Sequence, residues 1–140
     1  MPLVTILDRF PTPPCAAHLG FEMLEADEDG GTVKVGFVAR PEFCNPAGYV
    51  QGGFLTAMLD DCMGPAVVIA TRGRVFPTTI DLHMQFLAPA KPGALVGDAR
   101  VVKLGHTVGF VEGELADARG NPVARANASV RITAIDKVVR

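Results

Sequence analysis

The stretch Asn45-Pro46-Ala47-Gly48-Tyr49-Val50-Gln51-Gly52-Gly53-Phe54-Leu55-Thr56-Ala57-Met58-Leu59-Asp60-Asp61 concentrates the residue types that do chemistry. Gly52-Gly53 precedes a run with helical spacing. Glycines at a helix start leave uncovered the first-turn N–H groups, which have no acceptor inside the helix. The macrodipole adds partial positive charge at the same place. A developing oxyanion or a polarised carbonyl is stabilised there. The pair would equally serve a sharp bend from loop to helix. Two turns on stand Asp60 and Asp61, which with Thr56 are nearly the only polar side chains of the run. A carboxylate on an apolar helix costs free energy unless it is paired, hydrogen-bonded or neutral. Adjacent helical residues diverge by about 100°, so only one of the two can share a site with a group held at the glycines. Thr56 lies one turn before Asp60 on the same face and could hydrogen-bond it. A structural alternative has one aspartate bonding backbone near Pro65 and the other reaching solvent.

The remaining candidates are weaker. His18 falls in a loop, His83 on the polar face of a strand and His106 after Gly105 at a strand end. No serine or cysteine sits in a nucleophile-elbow context. Cys15, Cys44 and Cys62 have no metal spacing, and an odd count is a poor disulfide framework, so no metal and a reducing compartment are expected. Lys+Arg 13 against Asp+Glu 15 gives a net charge of −2, which excludes a strong nucleic-acid footprint. The N-terminus lacks a basic region ahead of an apolar stretch. No run reads as a membrane span of ~18–20 residues. A soluble, cytoplasmic protein without a membrane partner is expected.

These residues need a scaffold. The chain has 140 residues, enough for one domain with a real core. Leu55, Met58, Leu59, Cys62, Ala66, Ile69 and Ala70 recur at three- and four-residue steps, and the intervening positions are also mostly apolar. That predicts a buried helix from Gly52 to about Thr71, kinked or broken at Gly64-Pro65. Two strands joined by Glu28-Asp29-Gly30-Gly31 precede it and four follow. In the strand after Arg72-Gly73-Arg74, Thr79, Asp81, His83 and Gln85 alternate with Ile80, Leu82, Met84 and Phe86. Strands in hairpins around one long helix predict an α+β antiparallel sheet laid on that helix. Residues 1–20 read as a short helix stopped by Pro11-Thr12-Pro13-Pro14 and then a loop, ahead of a single domain over 21–140.

The central segment resembles the signature of hot-dog-fold acyl-CoA thioesterases of the PaaI-like, phenylacetate-pathway group. Those carry Asn, then Gly, then His-Gly-Gly, then an Asp nine residues after the His. Here the pattern reads Asn45, Gly48, Gln51-Gly52-Gly53 and Asp60. The likeness extends to Thr78-Thr79-Ile80-Asp81-Leu82, to Gly105-His106-Thr107 and to the Asp117–Gly120 hairpin. It implies a hot-dog fold and an acyl-CoA thioesterase working as a homodimer or dimer of dimers. CoA would arrive as part of the substrate, with no other cofactor. The resemblance implies catalytic roles for Asp60, Gly52, Gln51 and Asn45. Asp60 would be general base or nucleophile, and the carbonyl would rest on Gly52 or Gly53. Gly53, Thr79, Thr56 and His106 fall among the implied substrate-binding positions. Gln51 replaces the family His; an amide donates a hydrogen bond but does not titrate. That substitution leaves a second reading open, a non-catalytic acyl-CoA or acyl-carrier binding module on the same fold. A hydratase of this fold is disfavoured, because its His/Asp pair has no counterpart near Gly52.

Overall fold

The computed structural model describes residues 3–138. The expectations that touched residues 1, 2, 139 and 140 lie outside the described residues. The elements are α1 (Pro14–His18), β1 (Glu22–Asp27), β2 (Thr32–Ala39), α2 (Gly52–Ala70), β3 (Val75–Phe86), β4 (Gly93–Leu104), β5 (Val108–Asp117) and β6 (Pro122–Ala134). All strand pairs are antiparallel, in one sheet of order β1-β2-β4-β5-β6-β3. The sheet curls around α2, which buries Leu55, Met58, Leu59, Cys62, Met63, Ala66, Val67, Val68 and Ile69. Val33, Val35 and Phe37 of β2, Leu95 of β4, Val111 and Leu115 of β5 and Val130 of β6 complete the core. This is the hot-dog architecture anticipated from the alternation of strands around one apolar helix.

Local readings differ in three places, the N-terminal segment, α2 and β3. A 3-10 turn over Ile6–Arg9 replaces the expected first helix. The proline run then starts a helix, because Pro14 takes the first helical position, where its missing N–H is not needed. The helix α2 continues through Pro65 without a break. By length and a mean hydropathy of 1.4, α2 alone could also cross a bilayer, contrary to the expectation that no run approaches that size. Here the curled sheet receives its apolar surface.

The third difference decides the site. The register of β3 on β6 shifts between Thr79 and Asp81, a β-bulge at Ile80. Thr79 opposes Val130, which is buried, whereas Asp81, His83 and Gln85 oppose Ser129, Asn127 and Arg125. The extra residue reverses the alternation. Thr79 therefore faces the helix together with Leu82 and Met84, not the outer surface together with Asp81, His83 and Gln85.

Candidate functional site

β3 runs back along α2. Three contacts trace the line: Pro77 lies against Gly64, Thr79 against Asp60, and Phe86 against Gly52. The Thr79 hydroxyl donates to Asp60 Oδ1 at 2.7 Å. Asp60 is exposed, on the helix edge that faces β3 and away from the core. A carboxylate oriented by a hydroxyl at the protein surface is available to take a proton from water or to attack a carbonyl.

The other half of the site is the start of α2. Gln51 is its N-cap, with its own N–H donating to the carbonyl of Phe43 at 2.8 Å. The Gln51 side chain makes no capping bond and is exposed. The N–H groups of Gly52 and Gly53 have no acceptor among the described residues. Phe43 and Phe54 stack with centroids 4.2 Å apart, which ties the first turn of α2 to the preceding loop. Asn45 shapes that loop: its Oδ1 accepts from the N–H of Ala47 at 3.0 Å and of Tyr49 at 3.2 Å. Its amide nitrogen is the group left for a ligand.

One expected contact is absent. Thr56 does not reach Asp60; its hydroxyl donates to the carbonyl of Gly52 at 2.8 Å, the back-bond a helical threonine readily makes. His106 is exposed in the β4–β5 turn and makes no side-chain hydrogen bond among the described residues; three residues on, Gly109 pairs with Val130, which pairs in turn with Thr79, so the turn lies two strands across the sheet from the Asp60 partner. Conversely, sequence reasoning passed over Phe86, which stands beside Gly52. No sequence signal marks such a contact.

Asp61 is the second titrating group. Its Oδ2 is buried without a partner. The carboxyl is pushed up to about 7, first by burial and then by the charge of Asp60. Asp61 shares a helix face with Phe54, Ala57 and Val68, none of which offers a donor. The native state therefore holds this proton more tightly than the unfolded chain between about pH 4 and 7. The stabilisation from this group is complete below pH 4 and is lost as pH rises through 7. Asp61→Asn is expected to raise the melting temperature at pH 8 and to change it little at pH 4. An equal shift at both pH values would mean that Asp61 does not titrate in this range.

No three His, Cys, Asp or Glu side chains come together to hold a metal among the described residues. A surface depression of about 430 Å³ lies on the outer face of the sheet, lined by His83, Gln85, Arg100, Glu112 and Arg125, and none of Gln51, Gly52, Asp60 or Thr79 borders it. Gly52 and Asp60 lie eight residues apart on one helix, about 12 Å along its axis. A nucleophile needs roughly 3–3.5 Å to its carbonyl. As a direct nucleophile, Asp60 is therefore out of reach of a carbonyl held at Gly52 of the same chain.

Known proteins resemble this chain in sequence and fold. A family model described as thioesterase superfamily matches residues 47–124. A Halobacterium salinarum protein named as a candidate esterase is 38% identical over 93 residues, 61% of each chain. The chain thus spans about three fifths of the curated relative it matches. A Ralstonia eutropha structure described as a candidate thioesterase, a phenylacetic acid degradation-related protein, is 36% identical with a TM-score of 0.84, covering 90% of this chain and 95% of that one. The fold also matches a Streptococcus mutans protein solved with acetyl-CoA, at 24% identity and a TM-score of 0.73, over 81% of this chain and 89% of that one. A helix opened by two glycines, an aspartate oriented by β3, and these matches lead to one assignment: the chain belongs to the thioesterase superfamily, as a PaaI-like hot-dog protein.

Proposed function

We propose that the protein hydrolyses acyl-CoA thioesters at sites shared between two copies of the chain. The observation that carries this reading is the 12 Å separation of two half-sites on one helix, both facing the exposed edge strand β3. Two β3 edges paired antiparallel about a two-fold axis would bring the Gly52 end of each chain toward the Asp60 end of its partner. Exposed Phe76 and Ile80 on β3 supply apolar surface for such a contact. The thioester carbonyl would accept from the Gly52 or Gly53 N–H. Asp60 of the partner would take a proton from water as it attacks, or attack the carbonyl itself. The tetrahedral oxyanion would collapse with loss of CoA thiolate, a good leaving group that needs little protonation, giving the free acid in the first route and, in the second, a mixed anhydride with Asp60 that water then hydrolyses. A single turnover in ¹⁸O water tests direct attack: where water opens the anhydride at the Asp60 carboxyl carbon, label enters Asp60 and the acid released is unlabelled, whereas general-base catalysis puts the label in the acid and none in Asp60. The acetyl-CoA found on the Streptococcus mutans relative supports CoA thioesters as the substrate class.

Thiol release across a panel of alkyl- and aryl-CoA thioesters tests the reading. Turnover of none of them, with retained binding, would favour the acyl-CoA or acyl-carrier binding module. The observation on that side is Gln51 in place of the family His. Gln51→Ala should remove one hydrogen bond to the carbonyl or water and lower kcat/KM roughly ten- to a hundredfold. Gln51→His should keep activity and add a pH limb near ~6.5. Any wild-type limb near neutrality should belong to Asp61 and vanish in Asp61→Asn. Full activity in Gln51→Ala would reduce the residue to a turn former.

A further inference from the structure

Phe86 ends β3, and its ring stands against the first residue of α2. A β-carbon built on Gly52 would lie 3.0 Å from Phe86 Cζ, 3.2 Å from Cε1 and 3.5 Å from Cε2. The three nearest atoms are the far end of the ring, so the ring points its edge at the glycine. A side chain at residue 52 would have to push the ring aside by a few tenths of an ångström. The neighbouring Gly53 has no atom within 4 Å of its own β-carbon position. The two glycines therefore differ: one is walled, the other open. Phe86 remains 56% exposed and Leu87 beside it 46% exposed, so the wall continues outward from the helix tip as apolar surface.

We propose that Phe86 is a specificity-determining residue whose ring walls the acyl group next to the carbonyl and limits its size. The inference rests on the placement of the thioester carbonyl at Gly52 and Gly53. A thioester presents two arms there. The pantetheine arm carries amides, which cost free energy against a surface that offers no donor or acceptor. Phe86 and Leu87 offer only C–H groups, so the hydrocarbon arm is the one that fits. An apolar wall discriminates by shape: a gained or lost methylene in such a pocket changes selectivity by roughly 10–200-fold. The ring's position toward Gly52 is set within one chain, independently of how β3 pairs with a second copy.

The test uses the full chain with acetyl-, isobutyryl- and benzoyl-CoA and with their non-hydrolysable thioether analogues. Phe86→Ala should raise the ratio of kcat/KM for the bulky groups over acetyl by about tenfold or more. Phe86→Leu should fall between, and Phe86→Trp should shift the ratio the other way. Calorimetric Kd values for the analogues should follow the same order. Ratios that stay within twofold across the series would overturn the proposal, as would a uniform loss for all acyl groups with unchanged melting and sedimentation. Should Phe86→Ala fail to fold or assemble, the Leu and Trp variants decide by the same ratios. A shifted Kd order without thiol release would sink the hydrolase reading and keep the wall. Normal turnover with a fixed ratio would sink the wall alone. Failure of the wild type to bind any analogue would remove both.

Discussion

Asp60→Asn is expected to lower kcat by ~10²–10⁴-fold, the usual contribution of a general base, and to leave acyl-CoA binding nearly intact. The fold should survive. Asp60 is exposed, and the Thr79 hydroxyl that donates to its Oδ1 can donate as well to the amide oxygen of asparagine. Geometry is thus kept while the proton acceptor is lost. The substitution carries a second readout. The charge of Asp60 is one of the two causes that push Asp61 up to about 7, so the neutral variant should lower the Asp61 titration. Titrating the single and double variants would separate the two carboxyls. Turnover within a few-fold of wild type would move the catalytic role to Asp61, whose Asn variant is then the informative one. Loss of folding in both variants would instead make the pair structural.

Two inactive variants should restore each other when mixed. Asp60→Asn damages the half-site where α2 meets β3, and Gly52→Val damages the half-site at the helix tip by crowding the Phe86 ring. In a two-fold dimer with shared sites, each mixed dimer holds one site built from an intact Gly52 and an intact Asp60. After co-refolding, statistical pairing should return about a quarter of wild-type turnover, about 25- to 2,500-fold above Asp60→Asn alone. Melting curves of the Gly52→Val protein confirm that it is folded before mixing. Recovery of nothing above the sum of the two parents would place both halves in one chain, or require more than two chains. A wild-type chain that sediments as an active monomer at micromolar concentration would refute shared sites directly.

The buried helix was legible because Leu55 to Ala70 is apolar at nearly every position, which only a sheathed helix tolerates. The six strands were legible because their alternation survives in β2, β5 and β6. What escaped were the features set by contacts distant in the chain. The bulge at Ile80 depends on where β6 pairs, and nothing in Thr78-Thr79-Ile80-Asp81 announces it. Thr56 found an acceptor one turn back on its own helix, a competitor that spacing alone ranked below Asp60. Asp60 itself was singled out by its spacing from Gln51, and β3 supplies it with a partner of the expected type, Thr79. Its catalytic role awaits the variants above. The N-terminal prolines misled because Pro14 both ends one path and starts another.

Ile80 also gives β3 an arithmetic. Side chains on a strand point up or down according to odd or even position, and the bulge is the place where odd changes to even. Any substitution at residue 80 leaves that count unchanged. Removal of the residue leaves Thr79 opposite Val130 and Asp81 opposite Ser129, now as consecutive residues of a regular ladder, so every other side chain keeps its side. The hydroxyl stays on Asp60 and the proline on Gly64, and only the local bend of the bulge is lost. What would turn Thr79 outward is a slip of β3 by one residue against β6.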